Sequence, residues 1–215
     1  MDITKVDYVI TQLGFYFNAI LIPLATLIIG RKALKERKAT GKWNPIRVII
    51  FGVFTCFSAI GIIEFLLSVL SLELPLLEDF YGGGIENFDL YGFLIGMMVT
   101  LGMTMIFYAN RWESLYYSAL FFYGGMVILF LLTGFDIWLE TYIMILGVIG
   151  IGFLYLTAFR VKDNGALGLA IFFTIAFGTI VLENHWVTQI SILIYSIFIL
   201  IFSLGFFKPF KEVVD

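Results

Sequence analysis

The chain has one cysteine, Cys56, and one histidine, His185. A lone thiol makes no internal disulfide and no dithiol redox pair. A lone imidazole excludes bis-histidine haem ligation and a histidine-rich zinc site, so no metal or other cofactor is expected. Charge is scarce too: 13% of the residues are charged, against roughly a quarter in soluble domains. Apolar residues make up 61% of the chain and aromatic ones 18%. Such a chain cannot fold as a globule in water, and its expected solvent is the lipid bilayer of the cell membrane. The start, "MDITKVDYVITQ", lacks the basic region of a cleavable signal, and its apolar run is long enough to span. No nucleic-acid partner is expected.

A helix needs about 20 apolar residues to cross a hydrocarbon core of about 30 Å. Seven runs meet that length: 8–30, 47–71, 90–108, 115–134, 138–159, 165–183 and 187–207. Apolar residues fill both parities of each run, which disfavours the alternating strands of a membrane barrel. The weakest boundary is "ENHW", between the last two runs; a mis-split there would leave six spans. The expected fold is therefore an all-α integral membrane protein, a single seven-helix domain covering residues 1–215.

Lysine and arginine orient it. The first loop holds Arg31, Lys32, Lys35, Arg37, Lys38, Lys42 and Arg47. If seven helices alternate, Arg111, Arg160, Lys162, Lys208 and Lys211 share its side, and Lys5 lies opposite. Positive residues stay on the cytoplasmic side, which puts the N-terminus outside and the C-terminus inside. Acidic residues sort outward: Glu73, Glu78, Asp79, Glu86 and Asp89 in the second loop, with Asp136, Glu140 and Glu183. The basic loop, read as a short flexible or helical arm, either only fixes topology or also contacts anionic lipid headgroups. Gly82–Gly84 in the second loop lack the following Lys-Ser/Thr of a phosphate cradle.

In this layout the first three and last three helices run in the same directions, with the fourth as an inverting link. "VIIFGVFTCFSAIGIIE" (Val48–Glu64) lies over "LGLAIFFTIAFGTIVLE" (Leu167–Glu183) without gaps, matching Phe54–Thr55 to Phe173–Thr174 and Glu64 to Glu183. The preceding spans end alike, at Arg31 and Arg160. A 3+1+3 parallel repeat is one reading, chance similarity of two apolar segments the other; such repeats build several transporters around a central site. Small residues mark helix contacts: Gly92, Gly96, Thr100 and Thr104 recur every fourth position, and Gly147 and Gly150 are a second pair. Gln189, Ser196 and Ser203 share one side of the last helix, and Pro23 is expected to kink the first near Asn18.

The layout resembles, in topology alone, microbial rhodopsins and the SWEET and PnuC-type carriers. Retinal chemistry is rejected, because no lysine lies between Lys162 and Lys208 to hold the chromophore. The Pro-Gln pair of the SWEET carriers is missing as well. Membrane hydrolases that depend on histidine clusters or paired intramembrane aspartates find no such residues, so the protein is not expected to be an enzyme.

That leaves Glu64, inside "SAIGIIEFLLSVLSLE". An ionisable residue within a span is costly and marks a functional hypothesis. Counted from Arg47 it sits about 25 Å up the helix, roughly 5 Å inside the outer edge of the hydrocarbon. Gly61, Ser68 and Ser71 share its side, a small and polar one that should face the bundle. Asn18, Gln189, Glu183, Asp136 and Glu140 are the expected companions of an ion- or ligand-binding site there. The alternative is a carboxylate that fixes helix packing. Three functions fit: a carrier of a small neutral or cationic solute, with proton coupling through Glu64; a retinal-free sensor signalling through a partner; or a scaffold subunit of a membrane complex.

Overall fold

The computed structural model describes residues 3–71, 90–134, 137–181 and 185–205, with some side chains among them left out. The expectations placed on the second loop, on Asp136, on Glu183 and on the C-terminal tail lie outside the described residues. Among the described residues seven α-helices follow in order: α1 (Ile3–Thr40), α2 (Pro45–Glu64), α3 (Leu90–Ala109), α4 (Ser118–Thr133), α5 (Ile137–Val161), α6 (Asn164–Val181) and α7 (His185–Leu204). A π-helical turn, Phe65–Val69, continues α2, and a 3₁₀ turn, Glu113–Leu115, precedes α4. No strand occurs among the described residues. Among the described residues five segments are long and apolar enough to cross a membrane: Tyr8–Thr40, Pro45–Leu67, Gly92–Ala109, Glu113–Thr133 and Ile137–Val161. The protein is a helical membrane protein.

The first helix corrects the expected boundary at Gly30. It runs unbroken through Pro23 and through the whole basic segment to Thr40. "RKALKERKAT" consists largely of strong helix formers, so the helix continues after its apolar stretch ends. It stops where Gly41 turns left-handed (φ 73°) and its amide donates to Arg37 O at 2.8 Å, the usual role of glycine just past a helix end. Asn44 then caps α2, its Oδ1 accepting from the amides of Ile46 (3.1 Å) and Arg47 (3.5 Å), with Pro45 at the first helical position. The arm is folded onto this corner. Glu36 pairs with Arg47 and accepts from Asn44 Nδ2 at 3.0 Å, while the Arg37 guanidinium lies 4.4 Å over the Trp43 ring. The turn into α6 is built alike, with Asp163 Oδ1 accepting from Gly165 N (2.7 Å) and Ala166 N (2.9 Å).

Principal packing closes a ring in the order α1, α2, α3, α5, α6, α7 and back to α1, and α4 rests outside it against α3 and α5. The side chains of α4 reflect that place: Phe121 is 78% exposed and Leu132 77%, which suits acyl chains. The largest buried cluster gathers toward the end of the ring that carries the basic residues, around Ile29, Ile50, Phe107, Ala158, Ala170 and Phe202. Aromatic pairs tighten it, with Phe54 stacked on Phe202 at 5.8 Å and Phe172 on Phe198 at 5.5 Å.

Candidate functional site

Further from the basic end, the ring surrounds a partly open cavity of about 230 Å³. Asn18 and Ile22 of α1 line it, with Phe57, Ile60, Gly61 and Glu64 of α2. From α3 come Ile95, Met98, Val99, Gly102, Met103 and Ile106; from α5, Gly147, Gly150, Ile151 and Leu154; from α6, Phe173, Ala176 and Phe177. Among the described residues, α4 and α7 contribute none of the lining. At about 1.5 Å per residue, Leu154 lies about 9 Å along its helix from Arg160, and Glu64 about 25 Å from Arg47. The cavity thus occupies the middle of the bundle and reaches toward the end opposite the positive charges.

Two contacts set the α1–α2 wall. Gly61 lets the helices approach closely: a Cβ placed there would lie 3.3 Å from both the Cβ and the carbonyl oxygen of Asn18. Further toward the basic end, Thr26 Oγ1 sits 2.7 Å from Ser58 Oγ and 3.0 Å from Phe54 O. Asn18 is held buried, at 4% exposure, against this seam. Glu64 is the last α-helical residue of α2 and is half-buried. Directly after it the chain widens into the π turn, closed by Leu70 N donating to Phe65 O at 3.2 Å. The Phe65 ring meets Tyr16 of α1 edge-on at 5.2 Å.

Of the residues singled out in the sequence, the structure brings Glu64 and Asn18 together on one cavity. Glu140 is half-buried in the first turn of α5, off the lining. Gln189 falls on α7, and its side chain lies outside the described residues, as do Glu183 and Asp136. The packing glycines divide. Gly96 receives Met126 of α4, and the hydroxyls of Thr100 and Thr104 donate back to Gly96 O and Thr100 O, both at 2.8 Å. Gly92 is in the first turn of α3. Gly147 and Gly150, expected only to pack, border the cavity, where a Cβ would meet Phe177 at 3.3 Å and Met103 at 3.8 Å respectively. Sequence reasoning missed Phe57, Met98, Met103, Phe173 and Phe177. In sequence they read as ordinary core residues, and an apolar lining leaves no other signal.

At the basic end two polar links close the seams between parallel neighbours. Lys32 Nζ donates to Ser203 O at 2.7 Å, joining α1 to α7. Asn110 Nδ2 donates to Thr157 Oγ1, also at 2.7 Å, joining α3 to α5. Ser203, of the expected polar stripe, is thus buried at a helix junction. No group of three or more metal-ligating residues occurs among the described residues. Comparison of the chain with protein-family models, with curated proteins and with solved structures gave no match in any of the three.

Proposed function

We propose that the protein is a carrier for a small neutral or cationic solute, bound in the cavity between its first and last three helices. The observation that carries this reading is the cavity itself, mid-bundle and bordered by Glu64 and Asn18. An intramembrane carboxylate that faces a cavity rather than lipid is characteristic of solute and proton pathways. In this reading all seven helices cross the cell membrane, with the basic end cytoplasmic. The packed aromatic layer and the two polar links at that end form the closed side, and proton coupling runs through Glu64.

A parallel repeat, with its site between the halves, is supported by three correspondences. Aligning α1 with α5 on Arg31 and Arg160 sets Asn18 against Gly147 and Ile22 against Ile151, and all four border the cavity. The same register sets Thr26 against Tyr155, and each bonds to the second helix of its own half: Thr26 to Phe54 O at 3.0 Å, Tyr155 Oη to Thr174 Oγ1 at 3.1 Å. The α1–α7 and α3–α5 seams, which exchange under a two-fold rotation, carry the Lys32 and Asn110 links.

The test is two-sided access. In a Cys56→Ala background, Ile151→Cys is expected to react with membrane-impermeant thiol reagents from both faces of oriented vesicles. Reaction from the basic face should rise when Lys32→Ala and Asn110→Ala break the links. Access from one face alone under all conditions would point to a receptor, and access from neither would refute the carrier.

A further inference from the structure

The chemistry of the cavity narrows its occupant. Among the described lining residues Glu64 is the only ionisable side chain and Asn18 the only other polar one. Among those residues there is no Lys, Arg or His to receive an anion, which would also meet the Glu64 carboxylate. A sugar or other polyhydroxylated solute would lose its water across walls of Ile, Met and Phe that return no hydrogen bonds. A bare metal ion would meet the same deficit, since hard cations take six or so oxygen ligands. A compact organic cation meets none of these objections. Its charge can be offset by Glu64, and its apolar substituents suit the remaining walls.

Aromatic rings strengthen the match. Phe57, Phe173 and Phe177 border the same space, with the Phe57 and Phe173 centroids 6.5 Å apart. Ring faces attract ammonium groups stripped of water, and aromatic-lined sites recognise quaternary ammonium in particular. Met98 and Met103 add flexible, polarisable walls that adjust to short alkyl groups. Size favours a small occupant. At 230 Å³ the cavity falls below the roughly 300 Å³ at which drug-sized sites begin. We infer that the cavity selects a small monovalent organic cation, a substituted ammonium with short alkyl arms, over neutral molecules of the same shape. This rests on the reading of the cavity as the solute site.

The test compares choline with 3,3-dimethylbutan-1-ol, its neutral carbon isostere, by calorimetric titration of the intact protein in detergent. Choline is expected to bind about tenfold tighter or more. Glu64→Gln should remove most of that preference while changing isostere binding by less than about threefold. Glu64→Asp, which keeps the charge, should retain the preference and controls for folding. Equal or tighter binding of the isostere by the wild-type protein would overturn the inference, as would binding of neither probe at millimolar concentration. So would a preference that survives Glu64→Gln in a protein that remains monodisperse. Proteoliposome uptake separates the two readings. Cation-selective binding without uptake would sink the carrier and leave the cation preference standing, whereas uptake that prefers the isostere would do the reverse.

Discussion

Gly150 offers a graded test of the cavity. A Cβ added there meets one neighbour, Met103 Cγ, at 3.8 Å, an ordinary van der Waals contact. Gly150→Ala therefore adds a methyl group without a clash and removes the helix penalty of glycine, about 0.8–1.0 kcal/mol relative to alanine. A net gain of about 0.5–1 kcal/mol is expected, because a methyl against a cavity recovers little packing. At Gly147 the same methyl meets Phe177 at 3.3 Å, so the ring must shift, and Gly147→Ala should gain less or lose stability. Gly150→Leu has a different effect. Its four side-chain carbons would project from the cavity wall into the space an occupant needs. Binding of any occupant should fall at least about tenfold, while the thermal midpoint stays at or above that of wild type. The assay is thermal unfolding in detergent paired with titration of choline. Loss of stability in Gly150→Ala would show that the glycine is there for helix contact. Undiminished binding in Gly150→Leu would show that ligands bind elsewhere.

Three further outcomes follow from the geometry. Thr26→Val and Ser58→Ala should couple in a double-mutant cycle by about 0.5–1.5 kcal/mol, the range for hydrogen bonds between membrane helices; refolding equilibria in mixed micelles would measure it, and additive losses would remove the hydroxyl pair from the account. Asn44→Ala should cost about 1 kcal/mol by uncapping α2, with further loss of the contact to Glu36; an unchanged unfolding midpoint would contradict the cap. Cys56, buried between α2 and α3 and off the cavity lining, should stay unreactive to polar maleimides. Met98→Cys, on the lining, should be modified and protected by choline, and equal reactivity of the two thiols would refute the assigned lining.

Helix positions were legible in sequence because each apolar run is long and ends in charge or a turn residue. The end of α1 was not, since hydropathy marks where a helix leaves lipid and not where it stops. Its continuation to Thr40 is instead written in the Ala, Leu, Lys and Glu content of the basic segment and in Gly41. Glu64 and Asn18 stood out because a polar residue in an apolar run is rare. The rest of the cavity was hidden for the converse reason: a lining of Phe and Met is chemically the same as a packed core. Gly147 and Gly150 read as contact residues because the absence of a side chain serves close approach and open space equally. The place of α4 could not be read either, since residues facing lipid and residues facing protein are both apolar in a membrane helix.

That place has a mechanical consequence. With α4 outside the ring, the connection between α3 and α5 limits their separation by its length and not by its bulk, as a strap does rather than a wedge. The α3–α5 seam is held shut by side chains such as Asn110 and Thr157, which can part without moving a helix out of the way. The strap leaves much of its apolar surface uncovered by the rest of the bundle, with Phe121, Leu131 and Leu132 turned outward. A force applied to those outward side chains would reach the strap before it reached anything that lines the cavity.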